Sequence, residues 1–211
     1  MYVGRIVAVG MTPGGKAAAM YRVSSRSFPN REARLAGEII SIMPRKGFED
    51  DLTKSPYIAY NCVKLAGSLA IATNGSHTDP ITEKILSGMP VRDALTLSLL
   101  AMDYEKDDYN TPRIAAVADR NKPVGYLGIV RKDAVIVREF ELKPGIAFYV
   151  ATYEKNNPSP HLVDELFDAN CAETACEYIV GKGIFSDFEH PVTSAAAVAG
   201  KDGFELSVKV I

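Results

Sequence analysis

Met102-Asp103-Tyr104-Glu105-Lys106-Asp107-Asp108-Tyr109-Asn110-Thr111-Pro112-Arg113 divides the chain into two kinds of pattern. Before it, Pro90 opens an apolar helix with Asp93 in its first turn; Val91, Ala94, Leu95, Ser98, Leu99 and Met102 line one side, and Leu97, Leu100 and Ala101 widen it. That width predicts a well-buried helix. After the stretch the pattern changes to strands at 114–117, 125–130, 134–140 and 146–152, separated by turn signals, which predicts a meander. The stretch itself fits a solvated connector, because helix ends carry charge and Asn-Thr-Pro is a turn signal, and it fits an active-site floor.

Upstream, residues 6–9 and 17–21 read as two antiparallel strands around Thr12-Pro13-Gly14-Gly15. Gly10 to Lys16 has the spacing of a phosphate-binding loop, but Ala17 replaces the hydroxyl that would hold magnesium and strand follows where helix is needed. Residues 38–43 predict another strand and 44–56 a polar loop. Residues 57–65 and 69–73 predict a hairpin around Ala66-Gly67-Ser68, with Tyr60 and Asn61 as polar residues inside an apolar pattern.

Two segments suit an anion. Tyr21-Arg22-Val23-Ser24-Ser25-Arg26-Ser27-Phe28-Pro29-Asn30-Arg31 interleaves forked guanidinium donors with hydroxyls, and Arg22 and Arg26 share strand parity. A surface strand with scattered charge is the plainer reading. Asn74-Gly75-Ser76-His77-Thr78-Asp79-Pro80 reads as a turn feeding a helix with Asp79 as N-cap and Pro80 first in the helix, so free backbone N–H groups would gather there. An unliganded strand-to-helix turn fits the same residues.

Beyond the meander, residues 161–168 and 172–180 predict helices, and 192–199 with 204–211 a final hairpin. The whole reads as a single α+β domain, 1–211, with two mainly antiparallel sheets covered by helices.

With 211 residues, 47% of them hydrophobic, the chain can build one substantial core. A net charge of −2 argues against bulk binding to nucleic acid or an anionic membrane, so any anion needs a local cluster. No apolar run is long enough to span a bilayer and the N-terminus lacks a signal-peptide layout, which leads us to expect a cytoplasmic protein. Cys62, Cys171 and Cys176 are odd in number and fit reduced thiols. Cys171 and Cys176 lie apart from other ligand types, and the H-x-E with P-C-x-x-C pattern of zinc deaminases is absent.

The arginine-serine segment, Tyr57-Ile58-Ala59-Tyr60-Asn61-Cys62, Asn74 to Asp79, Met102 to Lys106 and Asn110-Thr111-Pro112-Arg113-Ile114-Ala115 together resemble the archaeal-type IMP cyclohydrolase family. The resemblance is strongest up to about residue 118, with Thr152-Tyr153-Glu154 and His190-Pro191-Val192-Thr193 as later echoes, and weakest over 155–183. It implies a four-layer αββα sandwich like that of the N-terminal-nucleophile hydrolases. It also implies closure of 5-formamidoimidazole-4-carboxamide ribonucleotide to IMP with loss of water, the last step of purine synthesis. Removal of Met1 would expose Tyr2, which is no nucleophile, so such a fold would serve here without that chemistry.

Ring closure needs a held phosphate, a positioned carboxamide, a stabilised oxyanion and a proton donor, but no metal or redox cofactor. Candidates for the phosphate are Arg22, Arg26 and Arg31, helped by backbone near Asn74, Gly75 and Ser76. Glu105 is the candidate acid/base and Tyr60 the oxyanion donor, with Arg31 counted among the catalytic group. Asn110, Thr111 and Arg113 are expected to read the carboxamide or purine edge; His77 and His190 are weaker candidates. The expected partner is a small purine nucleotide, and a homo-oligomer is compatible with the sequence. Alternatives of another class are a non-catalytic purine-nucleotide-binding regulatory domain and an amidohydrolase for another small substrate.

Overall fold

The computed structural model describes residues Met1–Ile211. In chain order the strands and helices are β1 Ile6–Met11, β2 Ala17–Ser24, β3 Arg31–Ala36, β4 Ile39–Pro44, α1 Asp51–Lys54, β5 Tyr60–Ala66, β6 Leu69–Thr73, α2 Thr78–Leu86, α3 Val91–Met102, β7 Arg113–Asp119, β8 Val124–Arg131, β9 Ala134–Glu141, β10 Ile146–Ala151, β11 Val163–Asp164, α4 Ala172–Gly181, β12 Pro191–Ala199 and β13 Phe204–Val210. They form two antiparallel sheets, β11-β10-β1-β2-β12-β13 and β3-β4-β5-β6-β7-β8-β9.

Alternation along the strands explains the layering. Val7 and Val9 of β1 and Ala17, Ala19, Tyr21 and Val23 of β2 face the second sheet, which answers with Ile114, Ala116 and Ala118 of β7. The intervening Ile6, Ala8, Ala18 and Met20 face the other way, under Ala175, Cys176 and Ile179 of α4. Likewise Ala115 and Val117 of β7 face outward to Ile81 of α2 and Leu95 of α3. Strands buried on both faces must be apolar throughout, and β2 is buried at all eight positions. The result is an α+β sandwich of helix, sheet, sheet, helix.

Several expectations fail locally. Residues 161–168 form no helix: Val163–Asp164 pairs with β10, and the buried Asp164 carboxylate accepts from Leu166 N, Ile184 N and Tyr178 Oη. Those tertiary bonds outweigh eight residues of weak helical pattern. The polar loop 44–56 contains α1 and leads into a single 3-10 turn at Pro56–Ile58, so the hairpin strand starts at Tyr60 rather than 57. The charged edge strand β3, Arg31–Ala36, has no counterpart among the predicted strands. Finally, α3 is not buried on its widened side: Leu97 and Leu100 are 46% and 63% exposed. The fully buried residues of the helix are Ala94, Leu95, Ser98 and Leu99, with Val91 half-buried against the same cluster.

Candidate active site

Both sheets open at one end onto a cavity of about 990 Å³, lined by Arg5, Arg26, Arg31, Tyr57, Glu105 and Tyr153 among others. Each sheet supplies part of the floor. Arg5 immediately precedes β1, and the chain reaches it through Gly4, whose φ of +72° and collision of any side chain with Thr152 Oγ1 require glycine. Arg5 N then donates to Thr152 Oγ1 at 3.1 Å. Glu105 comes from the loop between α3 and β7, on the side of the second sheet. That loop is pinned by Glu105 N to Thr111 O at 2.8 Å, while Thr111 N and Oγ1 donate to the Asp107 carboxylate at 2.8 and 2.6 Å.

Arg5 Nη2 donates to Glu105 Oε2 at 2.8 Å, with Glu105 1% exposed. Glu105 Oε1 and Arg5 Nε are both buried with no hydrogen-bond partner in the protein, and Arg113 Nη1 stays 3.8 Å from Oε1. A buried acceptor and a buried donor left unmatched on the two partners of one ion pair are costly. Burial raises the Glu105 carboxyl above its ordinary value, while Arg5 and Arg113 pull it back.

Arg31, at the start of β3, is 3% exposed and spends Nε on Phe28 O at 3.1 Å, without a carboxylate partner. A buried guanidinium with free terminal nitrogens beside a cavity is a site for an anion or a developing negative oxygen. Below it, Tyr60 Oη and Tyr21 Oη lie 2.6 Å apart. Burial raises the Tyr60 hydroxyl, and the neighbouring Arg31 and Arg5 charges oppose that rise.

The predicted residues separate into two groups. Glu105, Arg31 and Arg26 line the cavity and Tyr60 lies just beneath it, 8% exposed. Arg22 does not: parity turns it towards α4, where it is fully buried and donates to carbonyls of Val180, Phe185 and Phe188 and to Ser24 Oγ. β2 ends at Ser24, so Arg26 lies beyond the strand and shares no face with Arg22. Asn74, Gly75 and Ser76 are also off the cavity. Asn74 ties its turn to β7 through Pro112 O at 3.0 Å and Ile114 N at 2.7 Å, and Gly75 packs against Arg113, whose Nη1 is 2.6 Å from where a Cβ would stand. Asp79 caps nothing; α2 begins at Thr78, and the Asp79 carboxylate binds Asn61 Nδ2 and Lys64 Nζ, each at 3.0 Å.

The other three stand behind Glu105 or beside it rather than facing the cavity. Arg113 donates Nε to Asp103 O at 2.8 Å, Thr111 is fully buried in its bonds to Asp107 and Tyr153, and Asn110 lines a shallow depression next to Arg131 and Asn156. His77, fully buried, bonds Ile114 O through Nε2 at 2.9 Å and leaves Nδ1 unpartnered; burial, then the Arg113 charge, lowers it to about 3. Arg5, Tyr21, Tyr57 and Tyr153 were missed. The one signal for Arg5 was a lone cation between Gly4 and an apolar strand.

The family model described as "IMP cyclohydrolase-like protein" matches residues 2–203. The IMP cyclohydrolase of Methanosphaera stadtmanae is 50% identical over 209 residues, covering 99% of each chain. That of Methanocella arvoryzae is 51% identical, covering 99% of this chain and 98% of its own, and that of Methanocaldococcus jannaschii is 43% identical over 99% of both. A match of this length and identity leaves one conclusion: the chain belongs to the IMP cyclohydrolase-like family.

Proposed function

We propose that this protein closes 5-formamidoimidazole-4-carboxamide ribonucleotide to IMP with loss of water, and catalyses the reverse, in the cytoplasm. The observation that carries the reading is the buried Arg5–Glu105 pair, each partner keeping one polar atom without a hydrogen bond, on a cavity floor that also holds Arg31. A carboxylate and a guanidinium held together complement an amide, which offers an N–H and a C=O.

In this reading the carboxamide N–H faces the Glu105 carboxylate and a substrate oxygen faces Arg5. Attack of the carboxamide nitrogen on the formyl carbon forms the ring bond. One N–H proton passes to Glu105, and the former formyl oxygen gains negative charge that Arg31 and Tyr60 stabilise. That oxygen takes back the proton held by Glu105, the C–O bond breaks, and the remaining formamide N–H proton passes to the departing hydroxide, which leaves as water. A carboxyl held above its usual range accepts the first proton and returns it in the second step. Arg26, at the rim, and Arg31 supply positive charge for the phosphate.

Purified protein mixed with the formylated ribonucleotide should develop the purine absorbance, and Glu105→Gln should not. Wild-type protein that leaves the ribonucleotide unchanged would remove the proposal.

A further inference from the structure

The reading above, on which this inference rests, asks Tyr60 to donate a hydrogen bond to the developing oxyanion. A phenol can donate or accept, and the 2.6 Å contact between the Tyr21 and Tyr60 hydroxyls does not by itself say which gives the hydrogen. The surroundings do. Tyr21 is 0% exposed, and Tyr60 Oη is the only hydrogen-bond partner of its hydroxyl. If Tyr60 gave its hydrogen to Tyr21, the Tyr21 hydrogen would be sealed in the inter-sheet core with no acceptor, which buried polar groups avoid. In the opposite arrangement Tyr21 donates to Tyr60, and the Tyr60 hydrogen is left over at the less buried phenol of the pair, beside the cavity-lining Arg5 and Arg31.

The charged neighbours close the remaining alternatives. Arg5 and Arg31 flank both phenols, and a guanidinium has donors only, so neither can accept the Tyr60 hydrogen. An acceptor must come from the ligand. We infer that Tyr21 is a positioning residue: by donating to Tyr60 it commits Tyr60 to donate into the cavity, so the site selects a ligand with an acceptor oxygen at that point. The same donation favours the Tyr60 phenolate over that of Tyr21, whose hydroxyl burial lifts well above its ordinary value. Tyr21 thus stays protonated while Tyr60 exchanges its hydrogen.

The first test uses unmodified protein labelled with ¹³C at the tyrosine hydroxyl carbons, each signal assigned by single Tyr→Phe variants. On raising the pH, Tyr60 should ionise before Tyr21, and in Tyr21→Phe the Tyr60 ionisation should move up. Tyr21 ionising first, or no movement in the variant, overturns the inference. The second test is kinetic. Tyr21→Phe should lower kcat about ten- to a hundred-fold with little change in KM, and Tyr21→Phe combined with Tyr60→Phe should be no slower than Tyr60→Phe alone. Multiplicative losses, or wild-type kcat in Tyr21→Phe while Tyr60→Phe is impaired, overturn the role of Tyr21 and leave that of Tyr60 standing. Wild-type turnover in Tyr60→Phe instead overturns the underlying assignment of Tyr60.

Discussion

Arg5 Nη2 and Glu105 Oε2 are 2.8 Å apart across 100 positions of sequence, and both groups are nearly sealed from solvent. Arg5 holds one carboxylate oxygen, and the other is buried without a hydrogen bond, 3.8 Å from Arg113 Nη1. Arg5→Lys keeps the charge but loses the planar fork that orients the carboxylate, so kcat should fall by about ten-fold or more while the fold persists. Steady-state kinetics beside a denaturant melt separates the two effects; unchanged kcat would show that Glu105 needs no such orientation.

The pH–rate profile follows from the ionisation of Glu105. Its reactive form as a base is the anion, and burial raises its folded value, so kcat/KM should rise with pH through a step above the usual glutamate range near 4.3. In Glu105→Gln that step should vanish together with nearly all turnover. A step at or below the ordinary value would contradict the assignment.

Gly75→Ala probes Arg113 without touching the cavity. The new methyl would stand 2.6 Å from Arg113 Nη1, the end of a flexible side chain, so the cost in stability should stay within about 1 kcal/mol. Displacing that charge from Glu105 removes one influence that lowers its ionisation, and the acid step of the rate profile should move to higher pH. If the step stays fixed, Arg113 does not tune Glu105.

His77 makes a prediction about stability alone. Its folded value of about 3 lies below the unfolded value near 6.5, so the folded state disfavours a proton that the unfolded chain accepts. The neutral ring's contribution is fully present above pH 6.5 and is lost as pH falls towards 3, at about 1.4 kcal/mol per unit, or about 3 kcal/mol by pH 4.5. Urea titrations across that window should show the slope in wild type and a shallower one in His77→Asn.

Arg22 and Arg31 should part company when substituted. Arg22→Lys cannot reach all the carbonyls that the guanidinium binds beneath α4, so it should lose roughly 2–4 kcal/mol of stability with KM unchanged. Arg31→Lys should leave the melt near wild type and impair turnover. The opposite pattern would return Arg22 to the ligand.

These two arginines also show what the sequence could and could not reveal. The order of apolar strands, turns and helices pointed to the two-sheet architecture, because β1, β2, β7 and β12 are apolar on both faces and turn residues bound them. Alternation puts Arg22 opposite Tyr21 across the strand, yet nothing local says which face carries the cavity. Glu105 stood out among acids in a marked stretch, but Arg5 has no motif; its surroundings are assembled by residues 100 and more positions away. Residues 161–168 were misread for the same reason, since Asp164 answers to Tyr178 and Ile184 and not to helical neighbours.

Arg5, Tyr21 and Tyr153 belong to the first sheet or its flanks, while Arg31, Tyr60 and Glu105 belong to the second or to the loop that feeds it. Neither half carries a working set of groups. Catalysis should therefore act as a clock for the last event of folding: on refolding from denaturant, circular dichroism should recover as the sheets form, and turnover only when the two halves dock. A chain halted with both sheets formed but apart would look native in its secondary structure and be chemically silent.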